Sequence, residues 1–417
     1  MDRHVAIASQ VAIAAMVSYF IYRTFNARAQ QPSLKEAAPS SAAPLTPKQI
    51  ALIKATVPHP ELNNVFNTAN QVNGHQARAL AGALFAYASH IDDVSALGPA
   101  VELICNKHAS LYIQPDDYKI VGKYLLEAMK EVLGDACTDD VLDAWAAAYW
   151  ALANIMIDRE GTLYKESEGW TNWRHFHVAR KVRESDEITS FYLKPVDGKP
   201  LPNFNPGQYI SVRVNVPRLK YPQARQYSLS DTPRSDYYRI SVKKESGLDP
   251  RAPGAKRHSR YVSNVLHDIT KEGDLVEVSH PCGDFFLSSA EASHPIVLLS
   301  AGRKIHFIHG SRTSQARAFK DHVQTLEKLF PNIQVTFFTS KPSEHDQPGV
   351  DYHHLGRIDL QKLNPSADLH LDDPHTEFYI CGPESFMAQM EGSLKAKRVG
   401  DDRIKMELFG TGGVPHN

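Results

Sequence analysis

The chain has 417 residues, 42% of them apolar and 22% charged, with 46 basic side chains against 47 acidic ones. That length suits roughly two to four domains of ordinary size rather than one. The balanced charge and ample apolar content exclude a disordered polyelectrolyte and a nucleic-acid binder with a dominant basic field. Taken in chain order, residues 5–22 (VAIASQVAIAAMVSYFIY) form an uncharged, mostly apolar run of about membrane-spanning length. Arg3 precedes it, Arg23 and Arg28 follow it, and no acidic residue lies between Asp2 and Glu36. This Arg-rich, acid-poor character points to a mitochondrial targeting segment over 1–28. A membrane anchor with the body in the cytosol, and a secretory leader cleaved near Ala27-Arg28-Ala29, are the alternatives. Residues 29–44, rich in Pro, Ala and Ser, read as a linker.

From 45 to 165 the pattern is helical: Ala79, Leu80, Ala83, Leu84, Tyr87 and Ile91 keep a 3.6-residue period, as do Val141, Leu142, Trp145, Ala148, Tyr149 and Leu152. Between 170 and 290 the runs FHVARKV, ITSFYLKPV, GQYISVRVNV, QYSLS, YRISVKK and LVEVSH alternate in polarity and are separated by turn residues, predicting a small antiparallel barrel. Over 294–417 the apolar runs PIVLLS, IHFIHG, IQVTFFTS, FYICG and IKMELFG are interleaved with helical stretches at 315–330 and 384–397, as in an open parallel sheet. Cys105, Cys137, Cys282 and Cys381 are far apart and form no CxxC pair, so reduced thiols are expected. The 20 His are scattered, with no spacing that suggests zinc. An all-α module, a barrel and a nucleotide-type α/β module in one chain suggest, by analogy, an electron-transfer assembly whose cofactors need different folds.

Arg225-Gln226-Tyr227-Ser228 combines an Arg able to neutralise phosphate, a Tyr able to stack and a Ser able to donate, though alone it also reads as a solvated edge strand. Its context decides between these readings. Pro206-Gly207-Gln208-Tyr209 stands upstream, Pro281-Cys282-Gly283-Asp284-Phe285-Phe286 closes the barrel, Cys381-Gly382-Pro383 ends a strand and Phe409-Gly410 lies near the C-terminus. Together these resemble the ferredoxin reductase type of FAD and NAD(P)H module. The resemblance implies that Tyr209 and the Arg225, Gln226, Tyr227, Ser228 strand hold the flavin, that Phe409 with Gly410 covers its ring, and that the Cys381-Gly382-Pro383 turn receives the nicotinamide.

Val101, Ile104, Cys105 and His108 follow i, i+3, i+4, i+7, so His108 belongs to the apolar face of a helix; a lone His there is usually a satisfied core residue. The segments FNTANQVNGHQARAL, AYASHIDDVSAL, KHASLYIQPDDYKIVGKYLL and VLDAWAAAYWALANIMIDRE resemble a flavohaemoglobin, and with the reductase module the resemblance covers most of residues 45–417. It implies that the chain is an all-α globin (45–165), an antiparallel FAD barrel (170–290) and a ferredoxin reductase-like α/β NAD(P)-binding domain (294–417). His108 becomes the proximal haem ligand, with Tyr118 and Glu160 polarising its imidazole. Gln76 and Leu80 would line the distal side, and Lys107 and Glu407 would tune the haem and flavin potentials. The implied cofactors are haem b, FAD and NAD(P)H. The implied activity is nitric oxide dioxygenase, converting NO and O2 to nitrate in a monomer with no nucleic-acid partner.

Two family segments are missing. About twenty residues between Pro58 and His59, carrying the family's distal tyrosine, would span roughly 30 Å as helix. The second gap follows Ser300-Ala301-Gly302, where a Gly-rich turn and helix should wrap the dinucleotide pyrophosphate. Parallel strands need a crossover of about a dozen residues, so strand IHFIHG is expected either to pair with its predecessor as a hairpin or to be displaced. A basic insertion at 248–260 looks like a surface loop. These losses leave open a shortened product that binds haem or flavin without completing the circuit, and an NAD(P)H-dependent flavin reductase of other acceptors.

Overall fold

The computed structural model describes residues 87, 90, 97–167, 169–217, 221–244, 261–286, 296–297 and 304–408. The N-terminal segment, the linker, Gln76, Leu80, the Pro58/His59 junction, the 248–260 insertion, Phe409 and Gly410 lie outside the described residues. The chain divides into two compact units: Met1–Leu62, Gln71–Pro99 and Gln114–Asp158 form one, while Asn63–Asn70, Ala100–Ile113 and Arg159–Asn417 form the other.

Helix α1 spans Gly98–Ala109, α2 Pro115–Leu133 and α3 Asp139–Glu166. In the first unit, α2 opens with Pro115 at its first turn, where a missing N–H costs nothing, and the Asp117 carboxylate accepts the Gln114 amide at 2.8 Å. Gly134, at φ 53°, ends it. The apolar residues read at helical spacing in α3 are buried or half-buried, and the Tyr149 hydroxyl donates to the Tyr118 carbonyl at 2.6 Å. Gly122 permits this approach, because a Cβ there would come within 2.4 Å of the Tyr149 ring.

In the second unit the six expected barrel strands form: β1 Arg174–Arg183, β2 Ile188–Pro195, β3 Tyr209–Val214, β4 Gln223–Ser228, β5 Tyr238–Lys243 and β6 Leu275–Val278. They order β4-β3-β6-β1-β2-β5, each pairing antiparallel, and the Leu229–Ile240 bridge joins the two edges. Strand alternation sends Phe176, Val178, Phe191, Ile210, Val212, Ile240 and Val278 inward, and helix α4 (Tyr261–Asp268) adds Val262, Val265 and Leu266 to the same core.

The remaining strands are β7 Ile296–Val297, β8 Ile305–Ser311, β9 Ile333–Thr339, β10 His354–Leu355, β11 Glu377–Gly382 and β12 Ile404–Leu408, all parallel, in the order β10-β9-β8-β7-β11-β12. Helices α5 (Lys320–Leu329) and α6 (Glu384–Ala396) accompany them. Two expectations are corrected here. β7 and β8 form neither a hairpin nor a displaced pair: Ile296 lies opposite Ile305 in parallel register, with only eight residues between them in the chain. Among the described residues the contact is a single rung. Helix α5 starts five residues later than its periodicity suggests. The guanidinium of buried Arg317 donates to the Ser311 and Thr339 hydroxyls and the Asp351 carbonyl, and Phe319 takes a left-handed φ of 58° just before the helix.

Candidate functional site

His108 sits in the last turn of α1, where Cys105, Asn106 and Ala109 are buried while its own side chain keeps 32% of its surface. Helix α3 brings up Glu160, only 2% exposed, with Oε1 2.8 Å from His108 Nδ1. A carboxylate can only accept, so Nδ1 carries the hydrogen and Nε2 presents a lone pair. Arg159, beside Glu160, is engaged elsewhere, pairing with both Glu102 oxygens at 2.7 Å. The His108 carbonyl accepts from the amides of Leu111 and Ile113 at 2.9 and 3.2 Å, which fixes the turn after the helix. Among the described residues no cluster of three or more His, Cys, Asp or Glu could hold a metal ion. A carboxylate-backed imidazole is instead a donor that suits axial ligation of a haem. Tyr118 is buried on α2 in the other unit.

The barrel assembles the residues expected at the flavin. Register places Tyr209 opposite Ser228 and Ser211 opposite Gln226 on one face of the β3–β4 ladder, with Val212 opposite Arg225 and Ile210 opposite Tyr227 on the other. Burial pulls the Arg225 guanidinium down to about 10 and pushes the Tyr227 phenol up. Both residues keep part of their surface accessible, and an anion beside Arg225 would relieve its desolvated charge. The buried Tyr209 hydroxyl has no hydrogen-bond partner, and Tyr209 exchanges backbone hydrogen bonds with Cys282 at 2.8 and 2.9 Å. Gly207 and Gly283 take φ of 113° and 125°; a Cβ would come within 2.3 Å of the Phe285 carbonyl oxygen at the first and 3.1 Å of the Tyr209 ring at the second. A desolvated cation, an unsatisfied buried phenol and two glycine turns that admit no side chain suit a planar cofactor with a phosphate arm.

In the parallel sheet the strand order reverses direction between β7 and β11, and ligands of such sheets bind beyond the carboxyl ends of the strands at that point. Gly382 is the last residue of β11, and a Cβ there would meet the Phe386 ring at 2.7 Å. Pro383 caps α6. Cys381 is exposed as a residue, yet its surroundings and Glu407 push the thiol up to about 12. Glu407, level with Cys381 on β12, is lifted to about 7 by burial and then by Asp284, with Lys107 opposing. Burial in turn lowers Lys107, against the pull of Glu407 and Asp284. Lys107 and Glu407, the pair expected from sequence, thus share one charge cluster with Asp284.

The residues missed from sequence flank His108. The Asn106 carbonyl oxygen accepts the Gly283 amide at 2.8 Å while its Nδ2 donates to the Glu102 backbone and carboxylate at 3.0 and 2.9 Å. Ser110 Oγ donates to the Lys107 carbonyl at 2.8 Å and accepts from Ser211 Oγ at 3.0 Å and Gln226 Nε2 at 2.9 Å. Ala109 packs against Tyr209 and Cys282, and Tyr112, in a left-handed conformation at φ 58°, accepts the His280 amide on its hydroxyl at 3.1 Å. The sequence signal was faint: two small polar residues two positions either side of a helical His. The four cysteines carry free thiols, as expected.

The Globin family profile matches residues 58–156 and the Oxidoreductase NAD-binding domain profile residues 287–392. A flavohemoprotein of Bordetella parapertussis is 42% identical over 414 aligned residues, covering 89% of this chain and 100% of the relative. The alignment is longer than the part of this chain it uses, so the relative carries a few tens of residues without a counterpart here. A flavohemoprotein of Rhizobium meliloti is 42% identical over 84% of this chain and 90% of its own length. The crystal structure of flavohemoglobin from Malassezia yamatoensis, with FAD and heme bound, matches with a TM-score of 0.75 at 25% identity, over 87% of this chain and 94% of that one.

Proposed function

The chain belongs to the flavohemoprotein family, and from that premise we propose that it is a nitric oxide dioxygenase, an oxidoreductase that converts nitric oxide and dioxygen to nitrate at the expense of NAD(P)H. The observation that carries the haem half is the 2.8 Å contact between His108 Nδ1 and the buried Glu160 carboxylate, the kind of backing that orients a metal-ligating imidazole. When bound, the flavin turns the hydride of NAD(P)H into single electrons, and the haem iron uses them in reaction with dioxygen and nitric oxide. Around these groups the protein binds, orients and sets charge. Glu160 holds the imidazole hydrogen and raises the basicity of the other nitrogen. Arg225 supplies positive charge for the flavin diphosphate, and the Tyr209 hydroxyl and Ser228, on the other face of the ladder, offer hydrogen bonds. Gly382, at the carboxyl edge of β11 where the strand order reverses, stands where a nicotinamide would approach.

Purified protein supplied with haem and FAD should consume nitric oxide in a reaction that requires both NADH and O2 and yields nitrate. Pigmented protein that leaves nitric oxide untouched under those conditions would overturn the reading. We further propose that the protein acts in nitric oxide detoxification within mitochondria. The support is the run of Arg3, Arg23 and Arg28 around an uncharged apolar stretch with no acid between Asp2 and Glu36. Residues 1–44 fused to a fluorescent protein should localise to mitochondria; diffuse cytosolic or secreted fluorescence would refute the address.

A further inference from the structure

Helix α1 is attached to the barrel on both sides of the haem ligand. Two residues before His108, Asn106 takes the amide of Gly283; two residues after it, the fully buried Ser110 hydroxyl makes three hydrogen bonds, the full complement of one donated and two accepted. Its partners are not equivalent. Gln226 belongs to the strand that faces the flavin, whereas the Lys107 carbonyl is part of the peptide leading into His108. A continuous line of hydrogen bonds and covalent bonds therefore runs from Gln226 through Ser110 to the ligand residue. Residues Ala100–Ile113 cluster with the reductase unit, so the haem ligand is held by the body that carries the flavin site. Ala109, between ligand and junction, packs directly on Tyr209.

We propose that Ser110, with Asn106, is the positioning residue that couples the flavin strands to the haem ligand and so sets the rate at which electrons cross between them. One electron leaves the reduced flavin and one arrives at the ferric iron; Ser110 and Asn106 gain and lose neither bonds nor protons. A bridge through bonded atoms replaces a gap through space, and it also fixes the separation of the two sites.

The proposal rests on the haem and flavin reading above, and the experiment separates their failures. Full-length protein loaded with haem and FAD is mixed anaerobically with NADH under carbon monoxide, and flavin reduction and haem reduction are followed separately. In Ser110→Ala haem reduction should slow by about tenfold or more, as misplaced redox partners do, while NADH-driven flavin reduction and the ferric Soret band stay as in wild type. Ser110→Thr, which keeps the hydroxyl, should restore most of the rate. Ser110→Cys keeps the shape but weakens the bonds, so it should lie between and serves if the Ala variant does not fold. Wild-type rates in the Ala or Cys variant would overturn the proposal, as would equal slowing of both half-reactions or a Thr variant as slow as Ala. Wild-type protein lacking a Soret band or flavin absorbance would instead overturn the functional reading on which the proposal stands.

Discussion

The carboxyl end of α1 and the meeting of β7 with β8 are both joints of the reductase unit, and they are built differently. At α1 the contacts come from Asn106, Ala109, Ser110 and Tyr112, reaching Gly283, Tyr209, Ser211, Gln226 and His280. At β7 one rung among the described residues, Ile296 opposite Ile305, links the strands. The difference follows from topology. Antiparallel strands and a docked helix use short connections, whereas parallel neighbours depend on a crossover, which this chain lacks between Ser300 and Lys304. Among the described residues the α1 joint is thus bolted by side chains, and the β7–β8 joint by a single backbone rung.

The largest expected effect breaks the bolted side alone. His108→Ala should abolish the Soret band while flavin absorbance and NADH-driven dye reduction persist; an unchanged Soret band would remove His108 as ligand. Next in size, Gly207→Ala tests the turn that packs on the Phe285 backbone beside Tyr209. With φ at 113° and the Phe285 carbonyl oxygen 2.3 Å from the new Cβ, it should cost about 1–3 kcal/mol and release FAD, read by thermal melting and flavin retention. A smaller effect concerns pH. Glu407 sits at about 7 in the folded protein against about 4.3 unfolded, so between these values the native state holds a proton that the unfolded state has released. Stability should fall as pH rises through that window, and Glu407→Gln should flatten the slope, read as thermal melting against pH. Smallest of all, Lys119→Ala removes an exposed pair with Asp116 at 2.7 Å on α2 and should shift stability by under about 0.5 kcal/mol, with no effect on either joint.

What could be read from the sequence, and what could not, follows the range of the interactions. All six barrel strands were legible because alternation and turn residues are local signals, and five of the parallel strands because each is a short apolar run; β10, the dipeptide His354–Leu355, carries no such run and was missed. The pairing of β7 with β8 was not, since a one-rung contact between parallel strands escapes the crossover rule that governs longer ones. The start of α5 was hidden by Arg317, whose periodic position gives no hint that its side chain ties the chain into turns. His108 and Glu160 were legible only through resemblance, because nothing in the stretch DRE reveals a carboxylate bound for a histidine 52 positions away. Asn106 and Ser110 were invisible: their partners Gly283, Ser211 and Gln226 stand 177, 101 and 116 positions distant.

The most direct test of the account is anaerobic mixing of the haem- and FAD-loaded chain with NADH in the presence of carbon monoxide. The account predicts that flavin absorbance bleaches and that the Soret band then shifts to that of the carbonyl complex of ferrous haem. Flavin bleaching with the ferric Soret band left unchanged would contradict it.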